Sequence, residues 1–304
     1  AYSERTLPVE DRLLLLGTVK IDNDAPKLGD VLHVDASGLE STKGPVDTAK
    51  LKYEWCVRGS SWAESTKDSY LVGGSAVGKG IYVRISVSGS ENEIESALTQ
   101  PVGLPEFAGG TGTEEDPYQI STIQEWILFA YRVGYQNHIG YRSAWYELTA
   151  DLDFSQMTPN SALMVSSFSG VLDGNGHALR NLTLLNLSGY GTVGLFSEVT
   201  GGGAIRNLHL ENIDLTTNTD GVGGLVGLLQ DGTLSNCTVT GSVKTQHSSG
   251  MLGGLVCRAI NSRITDCRNY VALDGTSSTG GIAAAATNCT LERVYNYADI
   301  SQTG

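Results

Sequence analysis

The chain is short of charge. Asp, Glu, Lys and Arg make up 17% of its 304 residues, against roughly 25% in ordinary soluble domains. What charge there is leans one way, with 33 acidic against 20 basic side chains, a net charge of −13 and a pI near 4.7. That balance excludes a nucleic-acid partner, which needs a basic face to meet phosphates, and it offers no polybasic attraction to anionic lipid. Cysteine is scarce too. The five present include no Cys-x-x-Cys pair and no Cys–His cluster at zinc spacing, so no structural metal is expected. Long apolar runs are absent; Leu13–Leu16 is the densest near the start and is far too short to cross a bilayer. No signal peptide precedes it, so the expectation is a mature or trimmed fragment with no membrane insertion. The chain has no HExxH, no GxSxG and no phosphate-cradling loop, and no cofactor is expected.

Glycine, by contrast, is abundant. There are 38, where average usage predicts roughly 21, and Ser, Thr and Asn fill much of the space left by charge. This composition fits a long β-rich extracellular surface. The glycines also recur in order. One phrase appears as LRNL at Leu179, IRNL at Ile205, LSNC at Leu234, ITDC at Ile264 and LERV at Leu291. A second lies between these openings, as VGLF at Val193, GGLVG at Gly223, GGLVC at Gly253 and GGIAA at Gly280. The openings stand 26, 29, 30 and 27 residues apart. A repeat of this size marks a solenoid, in which each unit buries its apolar face only against its neighbours.

Aligning the units assigns roles to single residues. Cys237 and Cys267 share a slot with Leu182, Leu208 and Val294, so they are expected to fill apolar core volume. Cys257 aligns with Ser197, Gly227 and Ala284 as another small-residue position. Asn181, Asn207, Asn236 and Asp266 align as well, which predicts a stacked turn ladder. The sequons at Asn181, Asn186, Asn236 and Asn288 are secondary to that ladder, since Asn207 keeps the register without a sequon. Gly194, Gly224, Gly254 and Gly281 mark bends where positive φ is expected. A leucine-rich repeat is rejected because its Asn slot holds Leu187, Ile213 and Ser242, and no helical leg joins the units.

Residues 17–102 read differently, after an N-terminal extension or linker at 1–16. Alternating runs at Val31–Asp35, Leu51–Val57, Ile81–Val87 and Ile94–Leu98 are separated by turn residues, the pattern of an all-β sandwich. In LKYEWCV, period-two alternation puts Leu51, Tyr53, Trp55 and Val57 on one face and Cys56 on the other. The pieces GTVKI, KLGDVLHVDASGL, YEW and SYLVGGSAVGKGIYVRISVSG resemble bacterial immunoglobulin-like domains, whose implied role is that of a spacer.

From 103 onward the second domain begins. Thr122 and Glu125 form a capping box, and Ile123, Trp126, Ile127, Ala130 and Val133 follow helical spacing. This predicts an amphipathic helix over about 122–133 that closes the first coil. GGTGTEEDPYQI, FSGVLDGNGHALRNL and GGLVG resemble secreted bacterial proteins with GLUG-type repeats, which include adhesins and the noncatalytic part of some immunoglobulin A peptidases. The resemblance implies a right-handed parallel β-helix spanning 103–304, so the whole chain is expected to be all-β. The fifth unit breaks off early, so further repeats or domains of the parent chain are expected.

Candidate chemistry is sparse. Asp151 and Asp153 are two apart and share a strand face, the best pair for acid/base work in a carbohydrate-active β-helix enzyme, lyase or hydrolase. Asp173 and His177 read better as turn or rim residues. For ligand binding, Tyr135, His138, Tyr141, Arg142 and Trp145 concentrate flat rings with hydrogen-bonding groups, although both ends of the helix also need apolar filling there. The favoured function is a noncatalytic bacterial cell-surface or secreted segment acting in display or adhesion, with a host glycan or host protein as partner. The alternatives are the carbohydrate-active enzyme and the noncatalytic region of a larger secreted metallopeptidase.

Overall fold

In the computed structural model, residues 12–134, 139–157, 163–185, 191–248, 250–275 and 277–302 are described. The chain forms two compact units, Ala1–Pro105 and Glu106–Gly304, and is mostly β, with a β-solenoid of about six turns. Among the described residues, no helix is long and apolar enough to cross a membrane.

The N-terminal unit is built from antiparallel strands. Leu51–Val57 pairs with Ile81–Val87, Val31–Asp35 pairs with Ser69–Leu71, and Leu15–Gly17 pairs with Leu39–Ser41. Alternation in LKYEWCV places Leu51, Trp55 and Val57 in the core with Leu32, Ile81, Val83 and Ile85. Trp55 is fully buried, stacks on Tyr70 with ring centroids 5.7 Å apart, and donates its indole N–H to the Lys67 carbonyl at 2.9 Å. Burial pushes the Tyr70 hydroxyl up to about 12. Two expectations change. The unit begins before residue 17, because Leu15 is 1% exposed within the core. Cys56 does face away from Trp55, yet it is buried, being paired across the strands with Tyr82.

The second unit opens on Tyr118–Ile120 and then helix Ile123–Gly134. The capping box forms as the sequence predicts. Glu125 N–H donates to Thr122 Oγ1 at 3.2 Å, and Glu125 Oε2 accepts from the N–H groups of Ser121 and Thr122 at 2.7 and 2.9 Å. The apolar face of the helix is buried from Trp126 onward, with Ile123 half-buried at its start. Trp126 donates its indole N–H to the Leu163 carbonyl, and Phe129 packs against Tyr146, Phe168 and Phe196. This aromatic cluster closes the top of the solenoid, where unpaired coil core would otherwise face water.

Below it the chain winds through four parallel sheets. The first sheet stacks Tyr118–Ile120, Trp145–Leu148, Val171–Asp173, Ala204–Arg206, Thr233–Ser235, Arg263–Thr265 and Thr290–Glu292. The second holds the long strands His209–Thr217, Thr238–Thr245 and Arg268–Gly275, with shorter ones above and below. The third runs through Thr192–Val193, Gly221–Gly223, Met251–Gly253 and Thr279–Gly280. The fourth runs through Val165–Phe168, Phe196–Val199, Val226–Gln230, Val256–Ile260 and Ala283–Thr287. Register between coils makes straight columns: Leu172, Ile205, Leu234 and Ile264 lie directly over one another, all fully buried.

This register corrects the first repeat opening. Leu179 sits on the second sheet against Leu210, not above Ile205; the residue above Ile205 is Leu172. The phrase L-x-N-L misled because it serves two different corners, Leu179–Leu182 and Leu210–Ile213 turning one and Ile205–Leu208 and Leu234–Cys237 the other. Both corners need an inward apolar residue, an outward polar one, a residue tolerant of left-handed backbone, and an inward apolar residue again. Thus Asn181 belongs with Asp153 and Asn212, its amide donating to Asp153 Oδ1 at 2.8 Å while its carbonyl accepts from Asn212 at 2.7 Å. Leu182 correspondingly leaves the cysteine slot. Asn207 and Asn236 form the other ladder beneath Asp173, linked at 2.9 Å per step. A third ladder joins Asp231, Asn261 and Asn288.

The corner residues Asn181, Asn207, Asn236 and Asp266 have φ of 58°, 53°, 50° and 57°. Asn and Asp accept this conformation more readily than other side chains. The phrase glycines do not: Gly194, Gly224, Gly254 and Gly281 keep negative or extended φ. They are glycine because of close approach. A Cβ on Gly254 would collide with the Asn269 side chain and the Gly281 carbonyl, and one on Gly223 with the Val226 carbonyl. Cys237 and Cys267 are fully buried in adjacent coils, as the alignment predicts, in a column with Leu208. The Cys267 thiol beside it and its burial hold the Cys237 thiol well above the ordinary value.

In the last coil no further strand among the described residues covers the same inward positions. Leu291 and Ile300 are 40% and 46% exposed.

Candidate functional site

The carboxylate pair Asp151 and Asp153 lies at the rim of the second sheet, on either side of buried Leu152. The two do share a face, but each is committed to the coil below. Asp151 accepts from Ala178 N–H at 2.9 Å, from Arg180 Nη1 at 2.7 Å, and lies 3.1 Å from His177 Nδ1. These hydrogen bonds, that of the Ala178 amide first, hold its carboxyl down to about 2. Asp153 takes the Asn181 amide and the Ser155 N–H, and these lower its carboxyl as well. A carboxyl held so low carries no proton at neutral pH, which is the wrong state for a general acid. Asp173 is tied in the same way to Arg206 at 2.7 Å and Asn207 at 2.9 Å, and His177 stands at the rim beside Asp151. Among the described residues, no three His, Cys, Asp or Glu side chains converge where a metal ion would sit.

The aromatic candidates divide. Tyr135 and His138 lie outside the described residues. Tyr141 stacks on Tyr118 at 5.6 Å, while the Arg132 guanidinium lies 4.9 Å from the Tyr141 ring centroid. Arg142 donates Nε–H to the Val133 carbonyl at 3.0 Å, satisfying the end of the helix. Trp145 occupies the first sheet with the Arg206 guanidinium 5.6 Å from its ring. Tyr146 is fully buried and donates to the Tyr141 carbonyl at 2.8 Å. The structure therefore gives Tyr141, Arg142 and Trp145 packing and capping partners rather than bringing them to one open face.

A different feature has the form of a site. Between the third and fourth sheets, on the outer surface, runs an open groove of about 390 Å³, lined by Thr192, Glu198, Asp220, Leu228, Met251 and Arg258. Ser197 lines it as well and heads the small-residue column Ser197, Gly227 and Cys257, all buried. A Cβ on Gly221 would come within 2.7 Å of Cys257 Sγ, so the sheets meet closely only because these side chains are small or absent. Burial pushes the Cys257 thiol up to about 11. Register puts Glu198, Leu228 and Arg258 directly over one another on the fourth sheet. Sequence comparison of the units missed this site because the column changes chemical type at every coil. The only local signal was that each of these residues follows a small-residue slot.

A second missed feature is a ladder of half-exposed rings. Tyr270 and Tyr297 stack 5.0 Å apart at 13°, with Tyr295 stacked 6.1 Å from Tyr297. Their faces are turned to each other rather than outward, so the ladder is best read as support for the last coils.

Comparison with known proteins places a motif on this frame. The family described as "The GLUG motif" matches residues 218–244. That stretch covers the third-sheet strand Gly221–Gly223, then Val226–Gln230 and Thr233–Ser235, and nearly all of Thr238–Thr245, so the motif is one turn of the solenoid. Halomucin of Haloquadratum walsbyi is 34% identical over 170 residues, which are 52% of this chain and 2% of halomucin. The chain thus spans a very small part of that relative. The crystal structure of a candidate immunoglobulin A1 protease from Bacteroides ovatus is similar at a TM-score of 0.39 and 17% identity, covering 62% of this chain and 80% of the other. The second unit is therefore a β-solenoid carrying a GLUG motif in the coil at 218–244.

Proposed function

We propose that this chain is a noncatalytic extracellular segment of a surface or secreted protein. In this reading the N-terminal unit is an immunoglobulin-like sandwich serving as a spacer, and the solenoid, wound right-handed, displays a long polar surface for adhesion. The observation that carries it is the fate of the acidic side chains. The carboxylates best placed for catalysis, Asp151, Asp153 and Asp173, are all engaged in hydrogen bonds between coils. The GLUG motif and the likeness to a stretch of halomucin support a surface setting, as does an outer surface rich in Ser, Thr and Asn and poor in charge. The partner class expected for adhesion is a host glycan or host protein.

Two measurements test this. An antibody raised to the chain should label intact source cells or their medium; labelling only after permeabilisation contradicts the location. Incubation with a polysaccharide panel should release neither reducing ends nor unsaturated products. Release that disappears in Asp151→Asn or Asp153→Asn contradicts the noncatalytic reading.

A further inference from the structure

The groove between the third and fourth sheets holds two charges that the fold does not neutralise. Many outward charges of the solenoid are paired from coil to coil, as in Arg180 with Asp151 and Glu211, Arg206 with Asp173, Arg263 with Glu292, and Arg293 with Asp266. Asp220, across the groove, is tied to His247 at 3.1 Å. Glu198 is different. It is half-buried and receives the Ser167 hydroxyl at 3.1 Å, but has no ion pair among the described residues. Arg258 is exposed and likewise has no ion pair among them.

These two charges are ordered. They stand two strands apart in one column, roughly 10 Å at the ~4.8 Å spacing of paired strands. Leu228 lies between them, and on the opposite wall Thr192, Gly221 and Met251 stand in register, which puts Met251 in the same coil as Arg258. The sequence of chemistry along the solenoid axis is therefore anion, apolar, cation. Among the described residues no aromatic ring lines the groove, so none of them stacks on a sugar face there. An aliphatic side chain between opposite charges, with a flexible thioether at the cationic end, instead suits a peptide, and Met adapts its shape to varied apolar partners. An extended peptide turns alternate side chains to one face at about 6.7 Å intervals, close enough to the strand spacing for the long Glu and Arg side chains to absorb the difference.

We propose that this groove binds extended peptide segments that set a basic side chain at Glu198, an apolar one over Leu228, and a carboxylate at Arg258. The proposal rests on the reading of the solenoid as a display surface and gives that surface a partner of stated chemistry. Because charge order is satisfied in either chain direction, recognition depends on the pair of end charges and not on peptide polarity.

The test uses the full chain and three probes, Ac-Lys-Ser-Leu-Ser-Glu-amide and its Lys/Lys and Glu/Glu counterparts, with binding read from amide shifts of Glu198, Leu228, Met251 and Arg258 by NMR. The mixed-charge probe should bind roughly three- to fivefold more tightly than either counterpart, the scale of one exposed ion pair. Arg258→Glu should move the preference to the Lys/Lys probe, and Glu198→Lys to the Glu/Glu probe. A misfolded variant would lose all binding rather than reverse its choice, and unchanged shifts elsewhere check the fold. Absence of binding by all three probes, or a preference that neither variant moves, overturns the proposal. So does tighter, competing binding of an acidic trisaccharide, which would assign Arg258 to a glycan. Mass analysis of the recovered probe separates the two readings: cleavage in the groove would end the noncatalytic reading, while the charge reversal would still establish the site.

Discussion

The two units solve the same problem of β-sheet burial in different ways. In the N-terminal unit, a residue's place follows from its own strand. LKYEWCV alternates, Trp55 lands in the core, and strands Leu51–Val57 and Ile81–Val87 run as their sequence pattern says. In the solenoid, alternation says which way a side chain points but not which corner it occupies. That address comes from the coils above and below. LRNL at Leu179 and IRNL at Ile205 are nearly identical in letters and sit on different sheets. Local pattern thus gives direction, while register between coils gives position.

Several substitutions sharpen this contrast. The largest effects should come where each unit closes its core. Phe129→Ala removes the ring that joins the helix to Tyr146, Phe168 and Phe196, and Trp55→Ala removes the N-terminal anchor. Each should cost about 3–5 kcal/mol in denaturant unfolding. By hydrogen exchange, Phe129→Ala should expose Val165–Phe168 and Phe196–Val199, whereas Trp55→Ala should expose Leu51–Val57 and Ile81–Val87. Exchange spread evenly over each unit would contradict these local anchors.

Next comes glycine. Gly223→Ala places a methyl against the Val226 carbonyl and the Cys257 backbone, and should cost about 2–3 kcal/mol through overpacking. Gly59 in the N-terminal unit has φ of +86° with open space around it. Gly59→Ala should cost only about 1–2 kcal/mol, the strain of left-handed backbone. Equal losses would break the distinction between glycine for contact and glycine for conformation.

Corner residues should give smaller effects. Asn236→Ala loses both the amide bond to Asn207 and the tolerance of φ +50°, for about 1–2 kcal/mol. Asn236→Gly should recover part of this, because glycine adopts that φ freely. Cys237→Val keeps the apolar volume of its column and should change stability by less than about 1.5 kcal/mol.

The smallest effect concerns pH. Asp151 is held at about 2, below the ~3.9 of an unfolded Asp. A lowered carboxyl stabilises the fold above the unfolded value and loses that contribution as pH falls through the folded one. Wild type should therefore exceed Asp151→Asn in stability by a constant small margin above about pH 4, and that margin should vanish toward about pH 2. Urea titrations at several pH values check this. The side chain is 42% exposed, so solvent screens most of the interaction.

Much of the architecture was legible in the sequence because it rests on spacing. The capping box at Thr122 and Glu125 and the three longer N-terminal strands follow from short-range pattern, and the core fate of Cys237 and Cys267 from the alignment of units. What failed did so for one reason. The first coil carries Asp173-Gly174-Asn175-Gly176 where later coils have a single corner Asn, so letter matching slid Asn181 and Leu182 into a neighbouring column. The phrase glycines were credited with positive φ because crowding from the next coil leaves no mark on local sequence. The aromatic candidates were legible as a concentration of rings, but not as the packing that consumes Tyr141 and Trp145. Glu198 and Arg258 were invisible because a groove built of unlike residues in successive coils has no repeat signature.

The central claim is that a residue's role is set by its column, with one coil as the unit. Deleting residues 221–250 tests it most directly, since Asp220 would then join Met251, which already occupies the Gly221 position one coil on. The account predicts a folded, β-rich chain one coil shorter, with hydrogen-exchange protection kept in Phe196–Val199 and Val256–Ile260. Deleting only 221–235 should instead abolish protection in the coils that follow. Loss of the fold in the whole-coil deletion, or survival of the half-coil one, would contradict it.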